Sequence, residues 1–207
     1  MGEFFARGGI VMYPILLASI LALGVFIERM VYFLRTRESA AEVLSRTLGK
    51  LKKGEISSAR EELEKSEAGP FSRFLAAGLA EGVPVESRKQ ALEDAGKRES
   101  FLYRRYLRAL SAVAQISPLL GLLGTVTGMI AAFRTLEETT AGMVNPAELS
   151  RGIWEALITT AFGLSVAIPA YVAYHVAASM AERRTVEMEV AGDRLIEVVT
   201  QKEAVEG

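Results

Sequence analysis

One carboxylate stands inside a long apolar stretch of this chain: Glu155, within GIWEALITTAFGLSVAIPAYVAY from Gly152 to Tyr174. An ionisable group in a membrane-length run costs roughly 2.5–3.5 kcal/mol on insertion scales, so it faces protein or a water-filled path and marks a function. A carboxylate placed there binds and releases protons. The competing reading puts Glu155 at headgroup level, where an acid costs little. Asn145, Pro146 and Glu148 read as an N-cap, a first-turn proline and the returning acid of a capping box, so a helix starting near Pro146 carries Glu155 more than two turns in. A hydrocarbon core of ~30 Å needs about 20 residues, and counting back that far from the interfacial pair Tyr171 and Tyr174 arrives at Glu155 itself. The acid thus falls between the outer boundary and one turn inside it.

Other chemistry is scarce. The 207 residues include no cysteine, hence no disulfide framework, thiol nucleophile or thiolate metal site. The single histidine, His175, stands at the inner end of the same apolar run, where a packing or interfacial role outweighs that of a ligand. There is no HExxH, no GxSxG and no phosphate loop, and the spans hold no second acid or metal-ligand set for a membrane hydrolase. Neither an enzyme nor a metal or cofactor site is expected. A formal net charge of -1 gives no basic surface for nucleic acid.

The elements that must position Glu155 are three apolar runs alternating with charged stretches: Ile10 to Ile27, Ala109 to Phe133, and the run after Arg151 that reaches Met180. The pattern predicts an all-α integral membrane protein with three transmembrane helices. The boundaries read as an N-terminal segment and first span over 1–34, a helical insertion over 35–108, a second span over 109–134, a short loop over 135–151, a third span over 152–180 and an amphipathic helix over 181–207. The first run is too long for a signal-peptide core and is read as retained. Glu28 and Arg29 at its far end read as an interfacial charge pair.

The insertion carries 16 Lys and Arg against 12 Asp and Glu. Lys53-Gly54, Gly69-Pro70 and Gly82-Val83-Pro84 punctuate it into short helices. From Glu86 onward the apolar spacing predicts one unbroken rod running into the second span. Small residues recur every three or four positions in both later spans: Ala114, Ser117 or Pro118, Gly121, Thr125, Gly128 and Ala132 in one, Gly152, Ala156, Thr160, Gly163, Ala167 and Ala170 in the other. Such faces let helices approach closely in lipid, leaving Glu155 at the edge of the seam. Arg29, Arg35, Arg37, Arg104, Arg105, Arg108, Arg183 and Arg184 flank one side, whereas 134–151 holds two arginines against three acids. The positive-inside rule places the insertion and the C-terminus in the cytoplasm and the N-terminus outside.

GLLGTVTGMIAAF in the second span, GIWEALITTAFGLSVAIPA in the third and GGIVMYPILLASILALGVFIER in the first resemble the MotA/TolQ/ExbB proton-channel family, in the three-span layout of ExbB and TolQ. The resemblance implies a ring-forming homo-oligomer, a pentamer, in the bacterial inner membrane. Its lumen would hold the single span of an ExbD- or TolR-like partner, and proton motive force would reach the outer membrane through a TonB- or TolA-like protein. It implies a proton pathway through Glu155, Thr125 and Thr160, with Gly121, Gly124, Gly128, Gly163 and Pro169 as helix-packing residues. One departure is Trp154, where a smaller residue is common. The two threonines also have an ordinary use, bonding their own backbone or a neighbouring helix. A passive scaffold anchoring a partner helix, with Glu155 as a structural acceptor, is the alternative to a proton-conducting energiser, and the resemblance leaves ExbB-like and TolQ-like service equally open.

Overall fold

The computed structural model describes residues 9–65, 69–80, 83–138 and 146–206. All regular structure among them is helical: α1 (Met12–Arg35), α2 (Ala40–Lys52), α3 (Ile56–Leu63), α4 (Pro70–Ala77), α5 (Val85–Arg104), α6 (Leu107–Glu138) and α7 (Pro146–Glu206). Three of these stretches are long and apolar enough to cross a membrane. The chain divides into two compact units, one of Met1–Arg29 with Tyr106–Ala177 and one of Met30–Arg105 with Ala178–Gly207.

In the first unit, α1 buries Met12, Ile15, Ala22 and Arg29, a stripe at multiples of three and four, and turns Leu17, Ile20, Leu21 and Leu23 outward. Ala22 packs with Leu110 and Ala114 of α6 and Ala170 of α7. Small side chains dominate because apolar area gains nothing by leaving lipid; close van der Waals approach does the work instead. Arg29 is only 2% exposed. Its guanidinium forks onto Glu28, with Nη2 at 2.6 Å from Oε1, and lies 5.5 Å from the centre of the Tyr106 ring. Within this pair the arginine is covered by protein and the glutamate is 45% exposed.

The unbroken rod expected from Glu86 into the second span is interrupted. Arg105 turns extended at φ -56° and ψ 138°, Tyr106 takes a left-handed φ of 63°, and α6 starts afresh at Leu107. A non-glycine residue pays for that conformation; the Arg29 guanidinium on the Tyr106 ring, a cation–π contact, offsets it. At the other end α6 persists to Glu138 and α7 opens on Pro146, so both flanks of the segment 135–151 are helical. The proposed cap Asn145 and the side chain of Glu148 lie outside the described residues.

The second unit is a water-type core. Leu44, Leu51, Ala59, Leu63, Phe71, Phe74, Leu75, Leu79, Leu92 and Tyr103 are buried with Met188, Ala191, Leu195 and Val199 of α7. Each large apolar side chain so covered contributes about 1.5–3 kcal/mol. Phe74 wedges between two glycines: a Cβ on Gly192 would stand 3.0 Å from its Cζ and one on Gly96 3.4 Å from its Cε2. Gly54 closes α2 with φ 88°, as the Lys53-Gly54 stop predicts. Glu99, 5% exposed, receives Arg73 Nε and Nη2 at 3.1 Å each, and these bonds hold the Arg73 guanidinium above its ordinary pKa.

Glu38, between α1 and α2, is the N-terminal clamp of α4. Its carboxylate accepts from Gly69 N at 3.0 Å, Phe71 N at 3.0 Å and Ser72 Oγ at 2.6 Å, while its own carbonyl accepts from Arg184 Nη1 at 3.0 Å. It thus satisfies amides that an N-terminus leaves open and meets the positive end of the helix dipole. Glu38→Ala should cost about 2 kcal/mol, the scale of charge-assisted capping bonds. The check is hydrogen exchange at the Phe71 and Ser72 amides, expected to quicken by roughly 30-fold; unchanged exchange would mean that water replaces the clamp at no cost.

Candidate functional site: the seam between the second and third spans

The small-residue faces of α6 and α7 meet, antiparallel, in the first unit. Opposed positions run from one end of the seam to the other. A Cβ on Gly152 would lie 2.6 Å from that of Ala132, one on Gly128 3.2 Å from that of Ala156, and one on Gly124 would strike the Thr159 side chain. One on Gly121 would stand 3.0 Å from Thr160 Cα, and one on Gly163 2.6 Å from the Ser117 carbonyl oxygen. Gly121, Gly124, Gly128 and Gly163 are all buried here, whereas Pro169 is exposed and lies outside this seam.

Glu155 is half-buried one residue before Ala156, and so level with Gly128 at the edge of the seam. Thr160 Oγ1 crosses the seam to donate to the Gly121 carbonyl at 2.9 Å. Thr125 instead bonds within its own helix, Oγ1 to Leu122 O at 2.6 Å, and is half-buried. By the opposed pairs, Thr125 lies about one turn along the seam from Glu155, towards the start of α6, and Thr160 about one turn further along α7. The three residues therefore follow one seam. Trp154 is 53% exposed, so the large ring turns away and does not crowd it. His175 is exposed, its ring 4.3 Å from that of Tyr171 and 5.1 Å from that of Tyr174. Among the described residues no cluster of metal-ligating side chains occurs.

Two further residues of this seam are more deeply buried than their place in the spacing implies. Thr159, on the same face, is 1% exposed and donates to the Ala156 carbonyl at 2.7 Å, filling the notch left by Gly124. Ser117 is fully buried and its Oγ finds no protein partner among the described residues. The three- and four-residue spacing put either Ser117 or Pro118 on this face, and the structure places Ser117 there.

Removing the cross-seam bond should be mild. Thr160→Val is expected to lose about 0.6 kcal/mol, the mean for interhelical hydrogen bonds in membranes, and to keep the fold intact. Thermal unfolding in mild detergent measures this. A collapse of the fold would mean that the bond, rather than the glycine contacts, holds the seam.

Residues 66–190 match the sequence pattern of the MotA/TolQ/ExbB proton channel family. A biopolymer transport protein ExbB-like 1 of Synechocystis sp. is 36% identical over 193 residues, covering 92% of this chain and 76% of the relative. The Tol-Pal system protein TolQ of Pseudomonas aeruginosa is 39% identical over 101 residues, 47% of this chain and 42% of the relative. The biopolymer transport protein ExbB of Aquifex aeolicus is 36% identical over 102 residues, 49% of this chain and 67% of the relative. The pattern match spans more than half the chain and takes in both faces of the glycine seam and Glu155 between them, and on that ground the protein belongs to the MotA/TolQ/ExbB proton channel family.

Proposed function

We propose that this chain is the proton-conducting subunit of an inner-membrane energiser, working as a homo-oligomeric ring around the single span of an ExbD- or TolR-like protein. The observation that carries the reading is Glu155. It is the sole carboxylate between Gly152 and Met180, α6 offers none between Leu107 and Arg134, and it is half-buried beside a tightly packed seam. An acid kept in that position at a cost of a few kcal/mol needs a use.

A single carboxylate cannot carry a proton across ~30 Å, because direct transfer needs hydrogen-bond distances. The pathway is therefore completed by waters, by neighbouring copies or by an acid on the partner span. Glu155 takes up the proton from the outer side; Thr125 and Thr160, each able to donate and accept, mark the inward direction along the seam. The insertion and the C-terminal part of α7 lie in the cytoplasm, where the arginine-rich flanks hold them. A TonB- or TolA-like protein receives the resulting motion. Neither the Glu155 chemistry nor the seam distinguishes ExbB-like from TolQ-like service.

Proton flux in vesicles tests the reading. Vesicles holding this chain together with its single-span partner should acidify under an imposed gradient, and vesicles holding either protein alone should not. Equal, negligible flux in all three would leave a passive scaffold in which Glu155 is only a hydrogen-bond acceptor.

A further inference from the structure

Gly9, three residues before α1 begins, has a left-handed φ of 66°, and its backbone runs directly against the Glu155 carboxylate. A Cβ built there would collide with Glu155 Oε1. The two residues are 146 positions apart, yet both belong to the first compact unit. The chain then turns into the helix, Met12 N bonding Gly9 O and Tyr13 N bonding Ile10 O, each at 3.3 Å. Met12 and Ile15, at 1% and 0% exposure, anchor that turn. The carboxylate thus rests against the turn that leads into a 24-residue helix.

From this contact we infer that Gly9 is a positioning residue for Glu155: the missing side chain lets the acid seat itself between the start of α1 and the body of α7. The inference rests on the proposed role of Glu155 as proton acceptor and gives α1, which the family pattern match leaves out, a part in presenting that acid. Two properties of glycine are needed at once. The left-handed backbone strains most other residues, and the space for a Cβ is already taken by Oε1. Asparagine tolerates the left-handed conformation far better than alanine, so it keeps the turn while still displacing the carboxylate.

The test compares Gly9→Ala, Gly9→Asn and, as a control, Gly24→Ala, whose Cβ would meet nothing within 4 Å. Each is purified with its single-span partner. Two quantities are read: proton flux in vesicles, and the acid-induced infrared carboxyl band that vanishes in Glu155→Gln. Both Gly9 variants should shift that band and lower the flux by roughly ten- to a hundredfold, the scale for displacing a reacting group by about 1 Å. Gly24→Ala should change neither. Glu155→Asp, one methylene shorter, should cost less in the Gly9→Ala background than alone, because the shorter acid no longer meets the new methyl. An unshifted band and wild-type flux in Gly9→Asn would overturn the inference, and so would a defect confined to Gly9→Ala, which would assign the effect to backbone strain. Retained flux in Glu155→Gln would sink the proton-acceptor reading instead, while a shifted band in the Gly9 variants would still report the seating of the acid.

Discussion

Glu155→Gln is expected to fold, to assemble with its partner and to lose proton-driven function altogether. Glutamine preserves the length and shape of the side chain and accepts a hydrogen bond through its carbonyl, so contacts with the start of α1 and the edge of the seam survive. It cannot take up and release a proton. Glu155→Asp keeps the acid and draws it back by one methylene, and should lose most of the function in the otherwise unchanged chain. The measurement is partner-dependent flux in vesicles beside the mass of the detergent-extracted complex. Full activity in Glu155→Gln would end the relay reading. Loss of the complex would make Glu155 a structural acceptor, because only then would the neutral amide fail where the acid succeeds.

The second large effect belongs to Gly163. A methyl there would stand 2.6 Å from the Ser117 carbonyl oxygen and 3.0 Å from Gly121 Cα, and both are backbone. No rotamer can move them aside, so α6 and α7 must separate along their whole contact. Forced overpacking costs about 1–3 kcal/mol even where side chains can yield; with backbone on the far side Gly163→Leu should abolish the folded complex. Gly128 faces the Ala156 methyl at 3.2 Å, so Gly128→Ala should be the milder of the pair. Gly49→Ala, where a Cβ meets nothing within 4 Å, serves as the control. Thermal melts and size-exclusion in detergent rank the series. A Gly163→Leu protein with wild-type melting and mass would show that these helices do not meet at this face.

The parts of this architecture that depend on local repetition could be read in the residues. Glycines and alanines at every third or fourth place in two apolar runs can only be a close-packed seam, and they pair as that spacing implies. Glu155 was conspicuous because it was alone. Parts that depend on distant pairing left no such trace. Nothing near Tyr106 announces a break, since neither glycine nor proline stands there, and the contact that stabilises its left-handed backbone comes from Arg29, far earlier in the chain. Glu38 looked like one more surface acid, and its partners Gly69 and Ser72 lie 31 and 34 residues away. Gly9 and Glu155 meet only because the start of α1 lies beside the early turns of α7. Thr159 could be placed one turn on from Glu155 by helix geometry, but that it fills the Gly124 notch is a matter of tertiary packing.

The second compact unit draws on both Met30–Arg105 and the stretch after Ala178, and this sets an order of events during synthesis. Leu195 is fully buried, with its Cδ2 2.8 Å from where a Cβ on Gly78 would stand, and Met188, Ala191 and Val199 are buried beside it. When the ribosome has finished Arg105, those four side chains do not yet exist. At about 5–20 residues per second, roughly 5–20 s pass before they emerge. Throughout that interval Phe74 and Leu92 lack their final cover, while the next two spans are being inserted. The nascent chain therefore carries a half-built core until the end of α7 emerges, and only then can the second unit close.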